Sequence, residues 1–141
     1  MNKMVARFLD IVKGAELMTG TTATLTASTV PYQSRKPNRP MNDLYIAAAQ
    51  ALGLQPNLEA KNGRGSSDFG NFSQIRPGIH PYFSISEGEI PGHSLAFARA
   101  AHSALGQENM RKAAAAMATV AYQYLTQEDF RAEVKADFQK K

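Results

Sequence analysis

Three groups of residues in this sequence could do chemistry: an acid in a glycine-rich loop, a histidine in a Pro-Gly turn, and a set of cations between prolines. The acid is Asp68, in GRGSSDFGNF at residues 63–72, where three glycines fall within ten positions. Glycine lets backbone come close to another surface, so Gly65 and Gly70 would admit a ligand while Ser66, Ser67 and Asn71 offer donors. The same residues also make ordinary turns, in which Asp and Ser bond their own backbone. Composition does not choose between these readings. The loop is not a Walker-type phosphate cradle, because no Gly-Lys-Ser/Thr follows. It is not a dinucleotide fingerprint either, since no strand is expected directly before it and no helix directly after.

The histidine is His93, in IPGHSLAF, at a turn leading into an apolar helical pattern. Imidazole is the commonest metal ligand and a general base near neutral pH; a single loop histidine is also, more often, a plain surface residue. His80 precedes Pro81 at the start of a β-prone run and reads as structural, and His102 falls inside a helical pattern. The cations Arg35, Lys36 and Arg39, with Lys61 and Arg64, could meet phosphates while Tyr32 or Phe69 stacks on bases. A solvated linker explains the same cluster without a partner.

The elements that would hold these residues follow from periodicity. Val5, Phe8, Leu9, Val12, Ala15, Leu17 and Met18 recur at helical spacing, and Gly20 stands where a C-terminal cap belongs. TTATLTASTV, residues 21–30, has a strand composition. PYQSRKPNRP carries three prolines and reads as a linker. MNDLYIAAAQALG is a helix with Pro40 near its first turn and Gly53 past its end. Residues 54–78 read as irregular, Tyr82 to Ile85 as a second short strand, and a helix should run to about Ala104. An alanine-rich helix with Met110, Met117, Val120 and Leu125 follows. Thr126 and Asp129 resemble a capping box that opens a last helix, whose charges alternate as an exposed face would.

The totals set bounds. At 141 residues, 43% hydrophobic and 20% charged, the chain can bury a core. It has no cysteine, which excludes disulfides, a thiolate nucleophile and cysteine-ligated zinc, and suits a cytoplasmic home. A net charge of +4 is mild and does not call for nucleic acid. No apolar run approaches the ~20 residues of a membrane helix. A helix and a lone strand cannot form a sheet face, so the pairing strands are expected from elsewhere.

Taken in order, GSSDFGNFSQIRPGIHPYFSI, PGHSLAFARAAHS, the alanine-rich helix and YLTQEDFRAEVKADF resemble the C-terminal end of the aminoacylase, carnosinase and aminobenzoyl-glutamate hydrolase family of co-catalytic zinc amidohydrolases. The likeness is strongest to its amidohydrolase branch, where a Gly-Ser-Thr-Asp loop, an Ile-His-Pro strand and a His-Thr-Pro-Glu-Phe turn recur in this order. It implies an α/β fold, with residues 1–36 ending a lid and dimerisation domain and residues 37–141 forming the C-terminal part of an α/β/α catalytic domain. It implies two zinc ions (or other divalent metals), His93 as the last histidine ligand, and Gly65, Ser66, Asp68 and Asn71 as a substrate-binding or site loop. The implied substrate is a small amide, an N-acyl amino acid or dipeptide, and the implied assembly a homodimer of the longer form, with neither nucleic acid nor membrane as partner. Two departures stand out. Leu95 and Ala96 replace the usual Pro and Glu, and the remaining metal ligands and the base glutamate would lie N-terminal to the matched region. No catalytic residue is therefore assigned within this chain. It is expected to be a fragment inactive alone, or else a non-catalytic remnant serving as a subunit-interaction module.

Overall fold

A computed structural model describes residues 2–27, 30–56 and 67–140 and divides the chain into two compact units, Met1–Pro31 and Tyr32–Lys141. The first unit is built on helix α1, Asn2–Thr19. Its end follows from Gly20, whose φ of 68° sends the chain out of the helix while its N–H bonds the Glu16 carbonyl at 2.9 Å. The Glu16 carboxylate then accepts the Ala23 N–H at 2.6 Å, holding the next residues near the helix end. Of the apolar positions that predict this helix, Val5, Phe8, Leu9, Leu17 and Met18 lie open and Val12 is half-buried.

The second unit is five helices: α2 Arg39–Ala51, α3 Phe69–Ile75, α4 Leu95–Ala101, α5 Ala104–Thr126 and α6 Glu128–Gln139. Its core lies between α2 and α5, where Tyr45 and Ala49 meet Ala116 and Val120. Alanine at 49 and 116 lets the two backbones approach closely, and Met41, Leu44, Leu54 and Ile79 close the rim. Burial raises the Tyr45 phenol pKa above its ordinary value. Helix α6 folds back on both and buries Val134 completely. Gly53, at φ 80°, ends α2 as its position suggested.

Asn38 ties this unit together. It is 2% exposed, its side-chain oxygen accepts the Met41 N–H, and its side-chain amide donates to the Val134 carbonyl at 2.9 Å. Its own N–H bonds the Gly78 carbonyl at 3.1 Å. One side chain thus caps α2 and pins α6. Asn38→Ala is expected to lower unfolding stability by about 2 kcal/mol, the sum of a lost cap and a weakened buried amide bond, measured by urea denaturation.

The α/β expectation is overturned: six helices and no strand occur among the described residues. A strand exists only through a ladder with a neighbour. Residues 21–27 find no such neighbour, despite their composition. Residues 82–85 run without a ladder into a bend, where the Ser84 hydroxyl donates to the Ser86 carbonyl and the Ser86 hydroxyl to the Gly88 carbonyl. β-propensity is a matter of composition, and it does not supply a pairing partner.

Three local expectations also change. A helix, α3, starts directly after Asp68 where irregular chain was expected. The helix expected to run to Ala104 stops at Ala101, with His102 as its C-cap and Ser103 capping α5. The Thr126–Asp129 capping box does not form. The Thr126 hydroxyl donates back to the Tyr122 carbonyl instead, and Gln127 precedes α6 with no side-chain cap. Arg131 takes over at this corner, donating to the Tyr124 and Leu125 carbonyls at the end of α5. None of the described helices is long and apolar enough to cross a membrane.

Candidate functional site

Of the glycine-rich loop, the residues from Ser67 onward are described; Gly65 and Ser66 lie outside the described residues, as do Lys61 and Arg64. The Ser67 hydroxyl accepts the Phe69 N–H at 3.2 Å, and the Asp68 carbonyl accepts the Asn71 N–H at 2.9 Å, which starts α3. Asp68 stands at the N-cap, but its carboxylate makes no capping bond and is exposed. The acid is thus left free of the turn chemistry that sequence alone could assign to it.

Helix α3 is held against residues 33–36. The Gln33 N–H donates to the Asn71 side-chain oxygen at 2.8 Å, and the Lys36 N–H donates to the Ser73 hydroxyl at 2.9 Å. Ser73, wholly buried, passes its own proton to the Gly70 carbonyl at 2.8 Å. The Gln74 amide donates to the Ser34 carbonyl. Gly70 faces the Gln33 backbone so closely that a Cβ there would overlap the Gln33 carbonyl. Gly70 thus makes a close approach to the chain's own backbone. Asn71, expected to orient a substrate, here serves to dock the 33–36 segment.

Phe69, on the same helix, meets the His80 ring at a centroid distance of 5.0 Å, and His80 meets Tyr82 edge-on at 5.1 Å. Arg35 completes the group. Its Nη1 donates to the Tyr82 hydroxyl at 3.3 Å and lies 3.4 Å from His80 Nδ1, with the guanidinium 5.7 Å from the Tyr82 ring centre. Sequence reasoning placed His80 in a structural role and Arg35 in a linker. No spacing signal joins residues 45 positions apart, so the pairing was invisible before folding. Lys36, from the same cationic run, bonds the Phe138 carbonyl and lies 4.4 Å from the Phe138 ring centre. Arg39 offers its N–H to the Asp137 carboxylate at 2.9 Å.

His93 stands apart from this group. It is exposed and takes φ 56°, the positive value among the described non-glycine residues. Neighbouring bonds shape the turn: the Ser94 hydroxyl donates to the Pro91 carbonyl at 2.7 Å and accepts the Phe97 N–H at 3.1 Å, capping α4. Among the described residues no hydrogen bond or ring contact joins His93 to Asp68. No group of three or more His, Cys, Asp or Glu side chains is placed to hold a metal ion there. A tetrahedral zinc site takes at least three protein ligands, so the described donors do not make one by themselves.

No family model matches the chain. It is 30% identical over 135 residues to a human protein named Xaa-Arg dipeptidase, and 34% identical over 115 residues to the mouse protein of that name. These matches cover 94% and 79% of this chain but 31% and 26% of the relatives, so it spans about a third of the length of the proteins it matches. Over most of its residues, then, this chain is similar to one portion of a protein named as a dipeptidase.

Proposed function

We propose that the chain is part of a metal-dependent amidohydrolase or peptidase that cleaves an amide bond in a small N-acyl amino acid or dipeptide-like substrate. The observation that carries this reading is the 94% coverage of the chain by similarity to Xaa-Arg dipeptidase. The succession along the sequence of the site-loop motif, the Ile-His-Pro motif and the His93 turn motif supports the amidohydrolase branch. In this reading His93 contributes one ligand to a two-zinc centre, and Gly65, Ser66, Asp68 and Asn71 border the substrate. The longer form is a cytoplasmic homodimer of a lid domain, here residues 1–36, and a catalytic domain, here residues 37–141.

What these residues do locally can be stated without the metal. The Pro91–Ser94 turn presents an imidazole to solvent with no competing partner among the described residues, and the α3 docking bonds hold the segment bearing Asp68 in place. In this reading the rest of the donor set lies N-terminal to the matched region. Consistent with that, titrating the isolated chain with zinc in a calorimeter should show no site tighter than about micromolar, since a single imidazole cannot replace a three-ligand set. Tight one-to-one binding would show that the described residues conceal further ligands.

The direct test is hydrolysis. A polypeptide of the relatives' length containing this sequence should cleave N-acyl amino acids or dipeptides, with activity lost to a chelator and restored by zinc, while the 141-residue chain alone stays inert. Absence of chelator-sensitive cleavage in the longer form across both substrate classes would refute the reading. A subunit-interaction role has one observation in its favour, the open apolar residues Phe8, Ile11, Leu17 and Met18 on α1. Sedimentation showing stable association without any hydrolysis would establish that alternative.

A further inference from the structure

We propose that the outer face of α5 docks a second copy of this chain, with the two α5 helices antiparallel. From Ala113 to Gln127 the sequence carries no charged residue on any side of the helix. One side, with Ala113, Ala116 and Val120, is buried. A helix packed on one side ordinarily turns charges outward, as α6 does with Glu133 and Lys135. The outer side of α5 instead presents Met110, Ala114, Met117, Ala118, Ala121 and Leu125 at the spacing of one helix face, all of them exposed. Met110, Met117 and Leu125 are 44%, 51% and 74% exposed, and Tyr122 beside them is 64% exposed. Together these residues leave about 600 Å² of mostly apolar surface open, the upper end of what a monomer shows in one patch.

The face is complementary to itself. Met110 and Leu125, Ala114 and Ala121, and Met117 and Ala118 all straddle one midpoint of the helix. A two-fold axis through that midpoint sets each residue against its counterpart in the other copy, as an isologous contact requires. Ala114 then meets the partner's Ala121, so the backbones approach to about 8 Å, while Met110 and the partner's Leu125 close the two ends. Charge selects the same direction. Arg111 stands near the start of α5, and Glu128 and Asp129 follow its end in the first turn of α6. Antiparallel helices bring Arg111 toward the partner's Glu128 and Asp129 and oppose the two helix dipoles; parallel helices would set like charges together. About 600 Å² from each copy makes about 1,200 Å² in all, the lower limit for a specific and stable interface. The dimer does not rest on the hydrolase reading.

The test is sedimentation equilibrium of the 141-residue chain, which should show monomer and dimer exchanging with a midpoint between about 1 and 100 µM. Ala118→Glu should raise the dissociation constant at least about a hundredfold, because its carboxylate would be buried against the partner's Met117. Thr119→Glu, on the flank that carries Glu108 and Lys112, should leave the constant within about threefold. Both positions are exposed in the single chain, so circular dichroism of each variant should match wild type and separate lost association from lost fold. Direction is read by crosslinking, since the chain has no cysteine of its own. Met110→Cys mixed with Leu125→Cys should crosslink on mild oxidation, and Met110→Cys alone should not. A wild-type chain still monomeric at about 100 µM would overturn the proposal and leave the face to the remainder of a longer polypeptide. A dimer that survives Ala118→Glu, that crosslinks through Met110→Cys alone, or that only Phe8→Glu on α1 dissociates would overturn it equally.

Discussion

Gly70→Ala should destabilise the second unit by about 4 kcal/mol, at the severe end for a single substitution. The added methyl would overlap the carbonyl of Gln33, and that obstacle is backbone, which cannot rotate aside as a side chain could. Ordinary overpacking costs about 1–3 kcal/mol because neighbours adjust; here adjustment means lifting α3 off residues 33–36. Four bonds would strain together: Gln33 to Asn71, Lys36 to Ser73, Ser73 to Gly70, and Gln74 to Ser34. Domains of this size hold only about 5–15 kcal/mol in total, so the variant should melt well over 10 °C below wild type in a calorimetric scan. A midpoint within about 2 °C would mean that α3 is not seated on the Gln33 backbone. Gly70 was singled out in the sequence for close approach, and the structure changes only what it approaches.

His93→Gly should do the opposite, leaving the fold nearly untouched while, under the proposed function, removing activity from a longer form. At φ 56° a residue with a Cβ stands in the left-handed region, at a cost of about 1–2 kcal/mol that glycine avoids. Glycine adds freedom to the unfolded chain in return, so the melting temperature of the 141-residue chain should move little. The imidazole has no bond to lose among the described residues, and the turn is held by Ser94 and Pro91. If His93 serves as a metal ligand, its loss removes electrostatic stabilisation of several kcal/mol, and turnover by the longer form should fall about a thousandfold with a reduced metal content. Wild-type turnover and metal content in that variant would take His93 out of the site.

How much of this was legible before folding depends on the range of the signal. Helix α1 is legible in apolar spacing, α2 in Pro40 and Gly53 at its ends and α5 in its alanine run, whereas α6 forms without the capping box that announced it; the stops of α1 and α2 lie at Gly20 and Gly53, whose φ values of 68° and 80° need no neighbour to justify them. The α3 helix escapes periodicity because FGNFSQI is short and carries glycine and asparagine in its first turn, and what keeps it is docking through Asn71 and Ser73 rather than propensity. The strands were overcalled because Thr- and Val-rich composition states what a sheet would accept, not whether a sheet is present. The Thr126–Asp129 pattern fits a cap in spacing, but the hydroxyl of Thr126 had a closer acceptor in its own helix. The candidate site divides in the same way. His93 and Asp68 drew notice as residue types, while the Arg35–His80–Tyr82 group exists only through contacts 45 and 47 residues apart.

The unladdered segment at 21–27 has a consequence for handling the molecule. TTATLTA has no charge to repel a copy of itself and no proline to block stacking. In a concentrated solution of pure chain, copies of that stretch could satisfy one another's amides as a growing fibre, a process fed by every molecule present and hard to reverse. Lysine at position 23 or 25 would place a repelling charge on each rung of such a stack while leaving the helices of Tyr32–Lys141 alone.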